Sequence, residues 1–175
     1  MSLTVEDGSG LANAESYVSV SDAAAYAAAR GLAFPVSPIA PAEQALRRAT
    51  AWIDGKYRSR FPGSRTHSRG QALEWPRMYA TDADGNEIAS DEIPVEIVNA
   101  TIEAAVREMA SPGSLSPDVT PGKVKKSARV GDIEVEYAVG TGNAYDQRPV
   151  VSVIDGILSS LLGSASPYVA RAVRA

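Results

Sequence analysis

The sequence predicts a mainly α protein: a small helical bundle of about four helices, with a β-hairpin arm and an extended C-terminal tail. Three observations predict this class. Apolar residues recur at three- and four-residue spacing in four segments, two alternating segments flank a two-residue turn, and the last residues are too few to fold alone. The 175 residues, of which 45% are hydrophobic, suit one helical domain over residues 1–163 and a tail over residues 164–175.

Capping residues and periodicity place the four helices. Ser21 suits the N-cap of the first helix and Gly31 suits its end, while a proline opens each of the other three. The apolar stripe of the second helix includes Trp52 and Tyr57, and we expect both rings to lie in the core. The predicted helices span residues 22–30, 41–57, 94–110 and 149–162.

A β-hairpin arm is predicted over residues 123–139. Two alternating segments flank the turn pair Gly131-Asp132, and glycine at the first turn position suits a type II′ connection. Because an isolated two-stranded ribbon is marginal in water, we expect the arm to pack against the helices or a neighbouring subunit. The register next to the turn sets one apolar pair and one charge-matched pair, Val130 with Ile133 and Arg129 with Glu134.

Charge is segregated along the chain. Residues 47–77 carry eight lysines and arginines but only two acids, Asp54 and Glu74, in a protein whose net charge is −4. A basic surface of this kind attracts phosphates or acidic protein faces, while the acidic remainder repels phosphates. The candidate residues for subunit contact or nucleic-acid binding are Arg47, Arg48, Lys56, Arg58, Arg60, Arg65 and Arg69.

No pattern for catalysis, metal binding or cofactor binding accompanies this stretch. Cysteine is absent, and the single histidine, His67, has no nucleophile or orienting group indicated nearby, so we expect a solvated loop residue. The segment that starts at Asp82 has neither the glycine nor the glutamate that an EF-hand loop requires. Phosphate-binding loops and the Gly-x-Ser-x-Gly elbow are also missing. We therefore expect no enzymatic activity and no cofactor, and a small hydrolase stays only a nominal alternative.

Aromatic residues are interleaved with the arginines, an arrangement typical of single-strand binding, in which bases stack on exposed rings. The alternative is structural: Trp52, Tyr57 and the Trp75-Pro76 pair pack in the core, and the arginines form a rim that meets an acidic subunit surface. The overall acidity disfavours a dedicated nucleic-acid binder. The interleaved aromatic residues are Trp52, Tyr57, Phe61, Trp75 and Tyr79.

The C-terminal tail mixes apolar and basic residues. A frayed terminus is the usual outcome for such an end. A disordered tail, however, normally avoids large apolar side chains, so the pattern favours a segment that becomes ordered in a partner's groove. The residues predicted to dock are Tyr168, Val169, Arg171, Val173 and Arg174.

Several motifs, in order along nearly the whole chain, resemble a family of tailed-phage and prophage proteins. They include Val5-Glu6-Asp7-Gly8-Ser9-Gly10-Leu11, Ala45-Leu46-Arg47-Arg48-Ala49-Thr50, Ala72-Leu73-Glu74-Trp75-Pro76-Arg77 and Ile133-Glu134-Val135-Glu136-Tyr137. Members of that family are often labelled putative DnaT-like single-stranded-DNA-binding proteins. The chain is also similar to the head–tail connector, or adaptor, proteins of phages.

The connector resemblance implies a ring, typically of twelve copies, beneath the portal, with a C-terminal segment docked on the portal. We therefore expect a structural virion protein in the neck between head and tail, present in the host cytoplasm during assembly. The implied partners are further copies of the chain, the portal protein and a downstream neck or tail protein, with genomic DNA passing without sequence specificity. No membrane partner is expected, because no apolar run approaches the roughly 20 residues that span a bilayer. The alternative is a DnaT-like single-stranded-DNA-binding protein that acts in replication.

Overall fold

A computed structural model describes residues 2–118, 127–130, 133–136 and 150–162 of the chain. The protein is mainly α with a β-hairpin, as the sequence predicts. Its helices are α1 (Val20–Ala29), α2 (Ile39–Tyr57), α3 (Val95–Ala110) and α4 (Ser152–Leu158). Its strands are β1 (Ser64–Arg65), β2 (Arg77–Met78), β3 (Ala80–Thr81), β4 (Glu87–Ile88), β5 (Ser127–Val130) and β6 (Ile133–Glu136).

The helix ends differ from the predicted ones by small shifts. Ser19, not Ser21, caps α1, because its hydroxyl accepts a hydrogen bond from the Asp22 amide at 3.1 Å. Helix α2 begins two residues before the predicted start. Helix α4 is shorter than predicted, since after Leu158 the chain continues in turns, with the Leu161 amide bonded to the Leu158 carbonyl at 2.9 Å.

The core lies around α2, which packs against α3 and α1, while α4 packs against α3. Each helix contributes one apolar face to this core, in keeping with its three- and four-residue periodicity. Complete burial of a leucine or isoleucine side chain contributes about 1.5–3 kcal/mol, so these faces supply much of the stability of the bundle. The largest buried apolar side chains include Trp75, Tyr57, Leu46, Ile53, Ile97, Ile102, Ile154 and Leu158.

The hairpin register is confirmed at backbone level. Strands β5 and β6 pair antiparallel, with Val130 opposite Ile133 and Arg129 opposite Glu134. The two turn residues and the outer ends of the predicted arm lie outside the described residues. The tail over residues 164–175 also lies outside them, so the division into a domain and a docking tail stays a prediction.

Two further antiparallel pairs were not predicted. Strands β1 and β2 pair Arg65 with Arg77, and β3 and β4 pair Ala80 with Ile88. Each of these four strands has two residues, which is too short for an alternating pattern to appear in the sequence. Gly63 lies so close to the backbone at Met78 that a Cβ would fall 2.3 Å from its carbonyl oxygen. The basic loop (residues 58–70) is thus folded back on the segment that follows Trp75.

No helix in the described part of the chain combines the length and the apolar character that a bilayer crossing requires.

Candidate nucleic-acid interface

The basic residues of α2 lie beside acids from distant parts of the chain. These ion pairs connect α2 to the N-terminal segment, to α3 and to α4. Part of the positive charge that is concentrated in the sequence is therefore balanced in the fold. The pairs are Arg47 with Glu15 at 2.9 Å, Arg48 with Glu108 at 2.7 Å, and Lys56 with Asp155 at 3.8 Å.

The basic loop wraps around one buried carboxylate, that of Glu74, whose side chain is 7% exposed. Arg65 donates a hydrogen bond to it, Arg77 Nη1 donates another at 3.0 Å, and Arg58 Nε lies 3.6 Å from Oε1. Burial raises the pKa of the Glu74 carboxyl, but the hydrogen bond from Arg65 and the surrounding cations outweigh burial and hold that pKa below its usual value. Arg77 also donates to two loop carbonyls, at 2.7 and 2.8 Å. Arg65 and Arg77 thus stabilise the loop.

A second buried carboxylate, that of Asp54, joins this loop to α2. Tyr17 Oη donates to Asp54 Oδ1 at 2.6 Å, and the Glu74 amide donates to Asp54 Oδ2 at 3.0 Å. Tyr17 Oη also accepts from the Trp75 amide at 3.2 Å. Burial raises the pKa of Asp54 to about 6, although the hydrogen bonds from Tyr17 and the Glu74 amide favour its ionised form. This network fixes the segment that precedes β2.

Three side chains of this region remain open to solvent. The Arg58 side chain is 59% exposed in spite of its ion pair. Arg69 is exposed and forms no ion pair with another described residue. Tyr79 is 84% exposed and has a φ of 57°, in the left-handed region that a bulky residue rarely adopts. We call Arg58, Arg69 and Tyr79 the loop surface.

The other aromatic rings divide between core and surface. Tyr57, Phe61 and Trp75 are buried and contact one another in sequence, with ring centroids 6.4 and 5.8 Å apart. The expected core position is therefore confirmed for Tyr57. It is wrong for Trp52, which is only partly buried, because the loop after α3 contacts its indole N–H through the Leu115 carbonyl and leaves space beside the ring.

The remaining predicted site residues do not join the loop surface in the described part of the chain. Arg60 is half-buried and has a contact of its own. For Arg129, Val130, Ile133 and Glu134 the structure describes the backbone alone. The predicted docking residues lie outside the described residues: Tyr168, Val169, Arg171, Val173 and Arg174.

His67 is exposed, as expected. Its ring packs against Gly10, where a Cβ atom would fall 2.3 Å from the imidazole. Among the described residues, no three acidic or histidine side chains converge to hold a metal ion.

Tyr79 was one of five interleaved aromatic residues, and the sequence did not distinguish it from the rings that pack in the core. Its position among the arginines was visible, but its exposure depends on β2 and β3, which are too short to predict. The acidic partners of the arginines were missed as well. Arg48 and Glu108 are 60 positions apart and Arg65 and Glu74 are nine apart, and neither separation corresponds to a local pattern.

The fold and the loop surface define a class: a small, mainly α protein with two exposed arginines and an exposed tyrosine on the basic loop and the segment paired with it. The family described as "Putative DnaT-like ssDNA binding protein" matches residues 1–175, and the chain belongs to this family. No curated protein and no solved structure matches the chain.

The connector interpretation is corrected by this result. The matching family is described by single-stranded-DNA binding, which was the alternative, and the expectation of a structural virion protein in a head–tail connector is wrong. Ring and portal partners have no support, whereas a DNA partner is consistent with the family. The physical reason is that a helical bundle, a hairpin and a basic tail are architectural features, which unrelated functions share. The predicted location in the virion neck or the host cytoplasm stays a prediction.

Proposed function

We propose that this protein binds single-stranded DNA at the loop surface and catalyses no reaction. Two findings support the proposal: the family match over the whole chain, and the presence of two exposed arginines and an exposed tyrosine on one folded-back loop and its partner segment. Single-strand binders combine cations that follow the phosphates with rings on which bases stack. The loop surface provides both kinds of group.

Tyr79 is the observation that carries the proposal. A bulky residue in the left-handed region costs on the order of 1–3 kcal/mol, and such strain is concentrated at functional sites. Burial does not compensate this cost, because the side chain is 84% exposed. The flanking strands β2 and β3 hold the backbone in place. A base stacked on the ring would give this exposed aromatic side chain the contact that the fold does not provide.

The charge distribution favours the same surface. The chain has a net charge of −4, so most of its surface repels phosphates. Arg69 forms no ion pair with another described residue, and the contact of Arg58 with Glu74 is long, at 3.6 Å, with the arginine side chain 59% exposed. Glu74 keeps its hydrogen bonds from Arg65 and Arg77 when Arg58 leaves, so Arg58 can exchange this long contact for a phosphate at low cost.

A salt titration tests this proposal. Binding of a labelled oligo(dT) is followed by fluorescence anisotropy for the wild type and for the double variant Arg58→Ala/Arg69→Ala. Each phosphate contact in a single strand contributes about −0.7 to the slope of log K against log salt. The double variant should therefore bind more weakly, with a slope shallower by about 1.4.

The matched control is Arg30→Ala, which removes an exposed arginine at the end of α1, outside the loop surface. It should bind like the wild type. Equal slopes in all three proteins, or no binding at low salt, would contradict the proposal. Arg65 is unsuitable for this test, because its replacement removes a partner of Glu74 and confounds binding with stability.

A further inference from the structure

We infer that the α2 groove, formed by Arg48, Trp52 and Lys56 with the loop at residues 113–117, holds one unstacked base of a bound single strand. The inference rests on the proposed function and extends it to a second surface. It assigns a base-binding role to Trp52, whereas the loop surface supplies the first contacts with the strand. The occupant is a nucleobase with its adjoining phosphates, because the groove offers an aromatic ring beside an open cavity and an ammonium group whose N–H donors have no acceptor among the described residues.

The three groove side chains lie in one row. Arg48, Trp52 and Lys56 are four residues apart on α2, so they share one helix face. At a rise of 1.5 Å per residue, successive members are about 6 Å apart along the helix axis. A cation therefore lies one turn before the ring and another one turn after it. Both cations are ion-paired, Arg48 with Glu108 and Lys56 with Asp155, so a single strand passing along this face contacts them beside these carboxylates.

Space for a base exists beside the ring. Two adjoining cavities, of about 320 and 260 Å³, are both lined by Ala51, Trp52 and Ser116. The larger one reaches Lys56, and the smaller one reaches Arg48 together with its ion-pair partner Glu108. Small residues keep the groove open: Gly55 lines the larger cavity, and a Cβ at Gly55 would meet no atom within 4 Å.

The Trp52 ring is already oriented. Its Nε1 donates to the Leu115 carbonyl at 2.8 Å, and its edge-to-face contact with Tyr57 has a centroid distance of 5.9 Å. The indole N–H is thus satisfied within the protein, and what remains available is the aromatic surface. An immobilised ring loses little conformational entropy on binding, which favours stacking.

Lys56 provides an independent indication of a ligand. Its Nζ is buried and forms no hydrogen bond with a described residue. It lies over the Trp52 ring, 4.6 Å from the centroid, and its charge is paired with Asp155 at 3.8 Å, a separation too long for a hydrogen bond. The ion pair and the ring offset the charge of this ammonium group, but its N–H donors have no acceptor among the described residues, and unsatisfied buried donors are costly. A phosphate oxygen or a base carbonyl entering the larger cavity would supply the missing acceptor.

The chain contains a suitable reporter for the test. It has two tryptophans, and Trp75 is fully buried, so a ligand that stacks in the groove affects the fluorescence of Trp52. The wild type is titrated with oligo(dT) and with an abasic oligonucleotide of the same length, by intrinsic fluorescence and by anisotropy in parallel. We expect quenching with oligo(dT) and none with the abasic strand, although the abasic strand still binds through its phosphates.

Replacement of the ring gives the expected size of the effect. Base–aromatic stacking corresponds to a loss of roughly 5- to 150-fold in affinity when the ring is removed. Trp52→Ala should lose this factor for oligo(dT) and change abasic binding little. Trp52→Phe keeps a ring but loses the hydrogen bond to Leu115, so it should keep the preference for oligo(dT). Thermal unfolding of each variant confirms that the folded protein is being compared.

Tyr26→Ala is the matched control. Tyr26 and Arg30 on α1 form the same four-residue aromatic–cation pair, 3.5 Å from guanidinium carbon to ring centroid, but line neither cavity. This variant should keep the wild-type preference. Binding without quenching, together with unchanged affinity of Trp52→Ala, would overturn the inference and leave the proposed function standing. Absence of binding to any strand would overturn both.

Discussion

Two arginines of the same basic stretch illustrate how burial separates structural from functional charge. The Arg77 side chain is 8% exposed and donates to Glu74 and to two loop carbonyls. Arg69, eight positions earlier, is exposed and forms no ion pair with another described residue. A basic run in a sequence therefore gives an upper limit on the charge available to a partner. The available part is what remains after the fold has used its share.

The two sides of this comparison differ in energy as well as in geometry. Removing one partner of a buried ion pair leaves an uncompensated charge and costs about 3–5 kcal/mol. Exposed arginines contribute about 0–1 kcal/mol to stability but dominate the electrostatic attraction of phosphates. Replacement of Glu74 should thus lower stability, whereas replacement of Arg69 should lower DNA affinity and leave stability nearly unchanged.

The largest effect is expected for Glu74→Gln. The change leaves Arg65 and Arg77 without their buried counter-charge, so the free energy of unfolding should fall by about 3–5 kcal/mol. Urea denaturation measures it. Glu87→Gln is the control, since Glu87 is exposed on β4, and it should change stability by less than about 0.5 kcal/mol. Equal stability of Glu74→Gln and Glu87→Gln would contradict the claim that the buried carboxylate contributes more to stability than the exposed one.

A somewhat smaller effect is expected from Asp54, and it depends on pH. Its pKa is about 6 in the folded protein and 3.8 ordinarily, so the folded state binds the proton more tightly. The contribution of Asp54 to the free energy of unfolding is therefore largest below about pH 4, and it is lost as the pH rises through 6. Relative to Asp54→Asn, the wild type should therefore lose roughly 2 kcal/mol between pH 4 and 7. Urea curves for both proteins at several pH values measure the difference. Parallel pH profiles would contradict the burial of this carboxyl.

The smallest effect on stability is expected for Arg69→Ala. The free energy of unfolding should change by less than about 0.5 kcal/mol, because the side chain forms no ion pair with a described residue. Oligo(dT) affinity at low salt should fall nonetheless, and the difference should shrink as salt is added. Anisotropy and urea denaturation on the same preparation separate the two quantities. A destabilised variant with unchanged affinity would reverse the proposed assignment.

Local features of the sequence predicted the fold better than the site. The four helices and the register of Val130 with Ile133 follow from periodicity and a two-residue turn, which are properties of neighbouring residues. The pairing of Arg48 with Glu108 and the exposure of Tyr79 depend on how distant segments meet. Partial exposure of Trp52 likewise depends on the loop after α3. The connector interpretation failed for a related reason, because architecture alone does not determine what a surface binds.

The most direct test of single-strand binding compares one labelled oligonucleotide with its duplex. Affinity is measured by anisotropy at low salt for oligo(dT) and for the same strand annealed to oligo(dA). Because exposed rings can stack only on bases that are unstacked from a helix, we predict clearly tighter binding of the single strand. Equal affinity for both forms would indicate phosphate attraction alone, and no binding of either form would contradict single-strand binding at the loop surface.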